Sequence, residues 1–294
     1  GWATVTSDAI THHKLISGFD MKVSDLSKFL PLIFAGQFFN SLYQYTGSQD
    51  VVQRYQTTAT MEETKKSLWT NGILAFITIP IFYGMGTVLF SFYNHAAVLP
   101  KGFNTSAVVP YFIVTKLPAG IAGLVIAAIF AAAQSTIASS LNAISSCGIV
   151  DFKQRFFNDK FKNISDVALA RWIIVISGLF SLAVAIYLLV GNTSETWNLF
   201  LAVTGLFGVP IAGIFAAGIF TEKANTVGAV IALIVAAGLT YYVQSLNISP
   251  FITSSVSFLT SFVVSYLVGL VTPQYRKDVT GLTAKTIDVE YTKK

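Results

Sequence analysis

Long apolar stretches alternate with short polar ones along almost the whole chain. The segments without Asp, Glu, Lys or Arg are 29–49, 68–100, 117–150, 172–194, 196–221 and 226–275. An α-helix needs roughly 20 residues to cross a bilayer, and the last segment is long enough for two helices joined by a turn near Pro250. We therefore predict seven membrane helices, near 30–48, 68–92, 118–150, 170–190, 197–220, 226–245 and 252–272.

Composition excludes most soluble classes. Charged residues make up 11% of the chain and the mean hydropathy is +0.64, whereas soluble domains are about 25% charged. A soluble helical protein would carry charge on each exposed helix face, and these segments carry none. The sequence predicts an all-α integral membrane protein with lipid as a partner. The net charge of +5 does not indicate a nucleic-acid partner, because the basic residues lie in short loops.

The distribution of Lys and Arg predicts the orientation. Fourteen of the 19 lie in alternate loops (50–67, 151–171, 222–225) and the C-terminal tail, and the others are Lys14, Lys22, Lys28, Lys101 and Lys116. Basic residues concentrate on the cytoplasmic side, so we predict a multi-pass plasma-membrane protein whose C-terminus is cytoplasmic. The predicted parts are an extracytoplasmic segment (1–28), a transmembrane helical domain (29–272) and a mobile cytoplasmic tail (273–294).

A polar stripe marks the third predicted span. At about 100° per residue, one helix face holds Ser135, Ser139, Asn142 and Ser146. Hydroxyl and amide groups that face lipid lack hydrogen-bond partners, so this face is expected to look at other helices, at water or at an ion. Such a stripe favours a carrier that handles a cation inside the membrane.

Two other spans carry helix-breaking residues. The first becomes polar around Gly47, which indicates either a discontinuous helix that lines a cavity or a helix that ends near Tyr45. The fifth contains Gly205, Gly208 and Pro210, which predict either local unwinding or a close-packed glycine seam.

Three blocks of sequence carry a family resemblance. Residues 41–54 read SLYQYTGSQDVVQR, and residues 131–142 read AAAQSTIASSLN, followed by Asp151-Phe152; a weaker block spans 204–220. With these blocks the chain resembles the sodium/solute symporter family of sugar, proline and sialic acid carriers, over about 29–271. The resemblance implies a LeuT-like core of two inverted five-helix repeats.

By this match the chain forms the second repeat plus two peripheral helices. The first repeat would precede Gly1, as expected for a processed or excised piece of a longer polypeptide that lacks an initiator Met. We therefore expect the missing N-terminal repeat of the same polypeptide to be a partner of this chain.

The resemblance also implies a sodium (Na⁺) site on the third span. One helix of the second repeat supplies a backbone carbonyl and two hydroxyls, and the matching residues are Ala132, Ser135 and Thr136. Oxygen ligands of this kind suit a hard cation. Some members bind a second sodium through two further consecutive hydroxyls, where this chain has Ala138 and Ser139, so half of that pattern is present.

The implied substrate contacts are on the first and fifth spans. They are Asn40, Ser41, Gln44, Tyr45 and Phe200. Glucose-type carriers have a lysine in the span at 68–92, which is uncharged here, and a glutamine at the position of Leu201, so the substrate wall is expected to be apolar. An organic anion such as sialic acid is therefore favoured as the small-molecule substrate.

The predicted function is sodium-coupled secondary active symport by alternating access. A sodium-coupled sugar or amino-acid carrier remains an alternative, as does a proton-coupled carrier, which would need a carboxylate or histidine that these spans lack. No charged ring indicates a channel, and no nucleophile–base pair indicates an enzyme.

Overall fold

In a computed structural model, every regular element is helical over the residues that the structure describes, which are 1–12, 29–157, 164–190, 196–246 and 249–286. The α-helices of these ranges are α1 (Trp2–Thr11), α2 (Leu30–Thr46), α3 (Gln49–Gln56), α4 (Met61–His95), α5 (Val108–Lys116), α6 (Ala119–Cys147), α7 (Asp166–Val190), α8 (Thr196–Val203), α9 (Val209–Phe220), α10 (Thr226–Ser245) and α11 (Pro250–Val271). One π-helix, Gly148–Gln154, follows α6, and a second, Thr204–Gly208, joins α8 to α9. The predicted all-α class is confirmed.

Most predicted spans form helices of membrane length. Six helices of the described ranges are long and apolar enough to cross a bilayer: Met61–His95, Ala119–Gln154, Asp166–Val190, Leu199–Phe220, Thr226–Ser245 and Pro250–Val271. The first predicted span forms α2, which has 17 residues. A helix of that size is about 26 Å long, slightly less than a hydrocarbon core of about 30 Å.

Helix also forms outside the predicted spans, as α3 and α5 show. Helix α1 lies within the predicted segment 1–28, and α4 begins at Met61 rather than at 68. The early start of α4 follows from its cap: the Glu63 backbone N–H donates to the Thr60 side chain (3.2 Å), and the Glu63 carboxylate accepts from the Ala59 N–H (3.0 Å). This reciprocal capping satisfies backbone donors that would otherwise lack partners.

The described residues form two units. The first contains α1, α4, α5, α6 and α7 as far as Tyr187. The long helices of this unit are little buried. In the most apolar window of each helix, 6% of the residues are buried in α4 and in α6, and none are buried in α7. Apolar surface of this kind is typical of helices that lie among lipid or further helices.

The second unit contains α2 and α8 to α11. Helix α11 packs against α2, α9 and α10 and so occupies the centre of this unit. Val209 and Ala212 of α9 form its core with Phe258 of α11, and the Phe39 ring of α2 stacks on that of Phe258 with 4.2 Å between the ring centroids.

Small residues let the helices of the second unit approach closely. A Cβ added to Gly213 would lie 2.0 Å from the Ser261 Oγ, and one added to Gly36 would lie 1.9 Å from the Phe251 carbonyl oxygen. One face of α11, which we call the α11 seam, consists of serines at most 1% exposed: Ser254, Ser257, Ser261 and Ser265. Small residues at this spacing are the usual basis of helix packing in membranes.

The beginning of the C-terminal tail is folded. The Arg276 guanidinium donates to the Gly269 carbonyl oxygen at 3.1 and 2.8 Å, and the Ala284 N–H donates to the Ile219 carbonyl at 2.9 Å. This part of the tail therefore contacts the second unit, and the mobility of the tail stays a prediction. Seven of the basic residues on which the predicted orientation depends lie outside the described residues: Lys14, Lys22, Lys28, Lys160, Lys162, Lys293 and Lys294.

Candidate sodium and substrate sites

The predicted sodium ligands lie together on α6. The Thr136 Oγ1 donates a hydrogen bond of 3.1 Å to the Ala132 carbonyl oxygen, one turn earlier in the helix. Ser135 is the neighbour of Thr136, and both side chains are exposed. Helix α6 contains no charged residue. Two hydroxyls and one carbonyl oxygen are thus available at one point on an uncharged helix.

This donor set fits a hard cation. In the α-helix the Ala132 carbonyl oxygen accepts the backbone N–H of residue 136 and also the Thr136 hydroxyl, so a cation would take the place of the hydroxyl hydrogen bond. The hydroxyl oxygens keep lone pairs of their own. Hard cations take about six oxygen ligands, so three residues form one wall of a site. Within the described residues, no cluster of three His, Cys, Asp or Glu side chains could hold another metal.

Ser139 lies one turn further along the same stripe and has a cationic partner. The Arg54 Nη2 of α3 donates to the Ser139 Oγ at 3.3 Å. Ser139 is half-buried and Arg54 is exposed. Because a guanidinium is permanently charged, the predicted remnant of a second sodium site has a positive charge of the protein beside it.

Asn40 is the centre of a hydrogen-bond network in the second unit. Its side chain is 0% exposed; its Nδ2 donates to the Thr204 Oγ1 (3.2 Å), and its Oδ1 accepts from the Gln44 Nε2 (3.3 Å). The Thr204 Oγ1 donates in turn to the Phe200 carbonyl oxygen at 2.9 Å. Thr204 thus connects three predicted substrate residues, and Asn40 holds α2 against the start of the π-helix.

The other predicted substrate residues differ in exposure. Ser41 is half-buried and accepts from the Gln37 Nε2 at 3.3 Å. The Tyr45 and Phe200 side chains are 42% and 43% exposed. Leu201 is 2% exposed and belongs to the buried core of the unit, and its predicted place on a substrate wall stays a prediction. Contact between substrate and the five predicted residues stays a prediction.

The first predicted span is interrupted. Helix α2 ends at Thr46, and the Gly47 N–H donates to the Tyr43 carbonyl oxygen at 2.7 Å, which caps the helix end. Helix α3 begins at Gln49. The chain is therefore discontinuous here, as one of the two predictions had it, while the cavity remains a prediction.

The fifth predicted span unwinds into the π-helix Thr204–Gly208. Pro210 lacks an N–H, so carbonyls one turn earlier lose a backbone donor. The Ser257 Oγ of α11 donates to the Gly205 carbonyl oxygen at 2.8 Å and supplies the missing bond. The predicted local unwinding is therefore present, and the α11 seam supports it.

The competing prediction of a close glycine contact also holds. A Cβ added to Gly208 would lie 2.4 Å from the Tyr43 ring of α2, which is too close, whereas one added to Gly205 would have an ordinary contact of 3.5 Å with the Ser254 Oγ. Both glycines are buried. Unwinding and close packing occur together because the widened turn brings glycine backbone against neighbouring helices.

Sequence reasoning missed three participants. The motifs assign no role to Thr204 or to the α11 seam, and the i, i+4 spacing of Asp50 and Arg54 predicts a helix-end ion pair rather than the bond from Arg54 to Ser139. The seam had a readable signal, since Ser254, Ser257 and Ser261 recur every three or four residues. The contact between Arg54 and Ser139 had none, because these residues are far apart in sequence.

Interrupted membrane helices and an uncharged helix that offers oxygen ligands define a class: membrane transport proteins. A profile of the sodium:solute symporter family matches residues 11–236. The chain belongs to the sodium:solute symporter family.

Two bacterial relatives are sodium/sialic acid symporters. The chain is 44% identical to SiaT of Proteus mirabilis (strain HI4320) over 207 residues, which are 70% of this chain and 42% of that protein. It is 37% identical to NanT of Aliivibrio fischeri over 240 residues, which are 81% of this chain and 47% of that protein. A human relative, sodium-coupled monocarboxylate transporter 1, is 28% identical over 245 residues, 79% of this chain and 38% of that protein.

A solved structure has the same fold. It is the substrate-bound outward-open state of a Na⁺-coupled sialic acid symporter, described as having a novel Na⁺ site, and it matches 92% of this chain with a TM-score of 0.79 and 34% identity. The match covers 56% of that structure. The chain thus spans about half the length of the proteins that it matches.

Proposed function

We propose that this chain is the second repeat of a sodium-coupled symporter and forms one wall of its sodium site. The observation that carries the proposal is the cluster of the Ala132 carbonyl and the Ser135 and Thr136 hydroxyls on uncharged α6. Binding of sodium, which its gradient favours, would stabilise the state in which the rest of the site closes on these oxygens. The remaining ligands belong to parts of the transporter outside this chain.

The proposed solute is an organic anion, with a sialic acid favoured. The two sodium/sialic acid symporters at 44% and 37% identity support this class. The network of Gln44, Asn40, Thr204 and the Phe200 backbone would keep α2 and the π-helix in register while exposed Tyr45 faces the solute path.

The proposed setting is the plasma membrane with a cytoplasmic C-terminus. Fourteen of the 19 Lys and Arg residues lie in the loops and tail assigned to that side. A tag after Lys294 in the full-length protein should be reached by a membrane-impermeant reagent after the membrane is opened and not before. Labelling of intact cells would reverse the orientation.

The decisive experiment is uptake by the full-length protein in proteoliposomes. An inward sodium gradient should drive accumulation of radiolabelled sialic acid, and choline in place of sodium should abolish it. Equal uptake in choline with an imposed proton gradient would replace the sodium proposal with a proton-coupled carrier.

Competition sharpens the solute class. Excess unlabelled sialic acid should inhibit the sodium-driven uptake, whereas glucose and proline should not. Inhibition by lactate at equal concentration would move the assignment towards a monocarboxylate, the substrate class named for the human relative.

A further inference from the structure

A buried lysine lies at the C-terminal end of the long helical segment that carries the proposed sodium ligands. The Lys153 side chain is 8% exposed and belongs to the π-helix Gly148–Gln154, which continues α6. Its Nζ donates to the Asp166 carboxylate at 2.6 Å and also to the Ile164 carbonyl oxygen. Lysine is almost never buried without such partners, because an unpaired buried ammonium group is costly. The ion pair therefore holds the end of this segment against the start of α7.

This segment contacts α7 through three residues, which we call the α7-facing row: Leu141, Gly148 and Lys153. A Cβ added to Gly178 of α7 would lie 3.9 Å from the Leu141 Cδ1, and one added to Gly148 would lie 2.7 Å from the Ile173 Cδ1. Asp166 is the partner of Lys153 at the third level. The partners on α7 follow one another in the opposite chain direction, so the two helices run antiparallel and meet at three levels.

The π-helix brings Lys153 onto this row. Leu141 and Gly148 are seven residues apart, which is two turns of an α-helix and leaves both on one face. Lys153 follows Gly148 by five residues, and in an α-helix five residues correspond to about 140° of rotation, so the lysine would point away from α7. In a π-helix the backbone hydrogen bonds join residues five apart, so such residues lie on the same side. The widened turn therefore places Lys153 beside Asp166.

The α7-facing row also fixes the direction of the proposed sodium ligands. Ser135 and Thr136 lie six and five residues before Leu141, which places them about 120° and 140° round the helix from the row. A side-chain oxygen lies roughly 5 Å from the helix axis, so a rotation of about 10° moves it by about 1 Å. A binding site needs its ligands within about 0.5 Å of the productive geometry. The sodium site therefore depends on the rotation of α6 about its own axis.

We propose that Lys153 is a positioning residue for the sodium site, because its ion pair with Asp166 fixes the rotation of α6 against α7. That rotation aims the hydroxyls of Ser135 and Thr136. The other two contacts of the row are apolar and tolerate small rotations, whereas a charge-assisted hydrogen bond is strong and directional. The inference rests on the proposed sodium-coupled function and goes beyond it, since it names a residue outside the ion site that sets the affinity of that site.

The test is the sodium dependence of sialic acid uptake by the full-length protein. Lys153→Met keeps most of the side-chain length and removes the charge. It should raise the half-saturating sodium concentration about fivefold, with little change in the maximal rate per folded transporter, because only the aim of the ligands is lost. A purely structural role would lower the amount of folded protein and leave the half-saturating concentration unchanged. Folded Lys153→Met with wild-type sodium dependence would therefore overturn the inference.

Asp166→Asn tests the same ion pair from α7. The Asp166 side chain is 52% exposed, and asparagine keeps an acceptor oxygen for the lysine, so this milder variant answers the question if Lys153→Met does not fold. It should also raise the half-saturating sodium concentration. The double variant should be no worse than Lys153→Met alone, because a single interaction can be lost only once. Independent effects that multiply in the double variant would overturn the inference.

Arg155→Gln is the matched control. Arg155 is an exposed basic residue two positions after Lys153, so its removal changes the net charge of the segment by the same amount. The half-saturating sodium concentration should stay at the wild-type value, and a shift equal to that of Lys153→Met would overturn the inference. Absence of sodium-driven uptake in the wild type would instead reject the proposed function itself.

Discussion

Two helices of this protein carry the same pattern of hydroxyls and use it differently. On α6, Ser135 and Ser139 lie four residues apart in a unit whose long helices bury almost none of their apolar windows, and Ser135 is exposed. On α11, Ser257 and Ser261 have the same spacing and are 0% exposed. One stripe offers oxygens to an ion, and the other lets neighbouring helices approach.

The difference lies in the glycines and carbonyls opposite each stripe. The α11 serines face Gly213 and the Gly205 carbonyl, a partner that Pro210 leaves without its donor. Within the described part of the chain, the hydrogen bond of the Thr136 hydroxyl goes to the carbonyl of its own helix, at Ala132. A polar stripe in a membrane helix is thus a packing device when another backbone lies against it and a candidate ligand set when none does.

The largest expected effect is on packing of the second unit. Gly36→Ala in the full-length protein places a Cβ where the Phe251 carbonyl now lies, 1.9 Å away, so α2 and α11 must separate. We expect a loss of about 3 kcal/mol in stability, measured as a lower melting temperature in detergent. Gly238→Ala is the control, because nothing lies within 4 Å of its added Cβ. Equal melting of both variants would contradict close packing.

The next effect tests the role of the α11 seam in the π-helix. Ser257→Ala removes the donor to the Gly205 carbonyl and leaves that buried oxygen unpaired. A buried unsatisfied acceptor costs about 1–3 kcal/mol, so thermal unfolding should again occur earlier. The matched change Ser135→Ala on α6 should leave the melting temperature close to that of the wild type. If both serines prove equally costly, the two stripes do not differ.

A smaller free-energy change is expected for sodium binding, which we predict depends on the α6 hydroxyls. Ser135→Ala should raise the half-saturating sodium concentration of uptake about tenfold, which corresponds to about 1.4 kcal/mol. Ser145→Ala is the control on the same helix, since Ser145 is 3% exposed and donates to the Asn142 carbonyl. A sodium response that is the same in both variants would assign the α6 hydroxyls to packing.

The smallest effect concerns a polar contact outside both stripes. Hydrogen bonds from His95 (3.0 Å) and Ser91 (2.5 Å) hold the pKa of Asp8 below its usual value. A carboxyl group whose pKa is lower in the folded state stabilises the fold at pH values above its unfolded-state pKa, which is about 3.9. This stabilisation is lost as the pH falls through the folded-state pKa. The protection factors of the α1 amides, which are exchange rates corrected for the intrinsic pH dependence, should therefore fall below about pH 4 and stay constant above it. In Asp8→Asn this pH dependence should vanish.

Local signals in the sequence were sufficient for much of the architecture. Uncharged runs predicted the spans, Pro210 with its neighbouring glycines predicted the unwound turn, and Gly47 predicted the break after α2. The early start of α4 was also readable, since Thr60 and Glu63 have the spacing of a capping box. These features depend on residues a few positions apart, and local chemistry governs them.

Contacts between residues far apart in the chain could not be predicted from the sequence. The hydrogen bonds of Asn40 to Thr204 and Gln44 could not be derived from the motif, and its contact with substrate stays a prediction. The burial of Leu201 in the core and the hydrogen bonds from Arg276 to the Gly269 carbonyl were not predicted either. In each case the partner is set by which helices meet, and composition does not record this.

The sequence by itself determined that this protein is helical, lies in a membrane and carries uncharged helices with oxygen-bearing faces. Hydropathy decides this, because apolar runs without charge are stable only when lipid or other helices surround them. Only the tertiary structure decided that the serines of the α11 seam are buried, that Ser135 of α6 is exposed while Ser145 of the same helix is buried, and that Arg54 donates to Ser139. Burial and charge contacts between distant residues depend on helix packing, and identical hydroxyl spacing is compatible with either outcome.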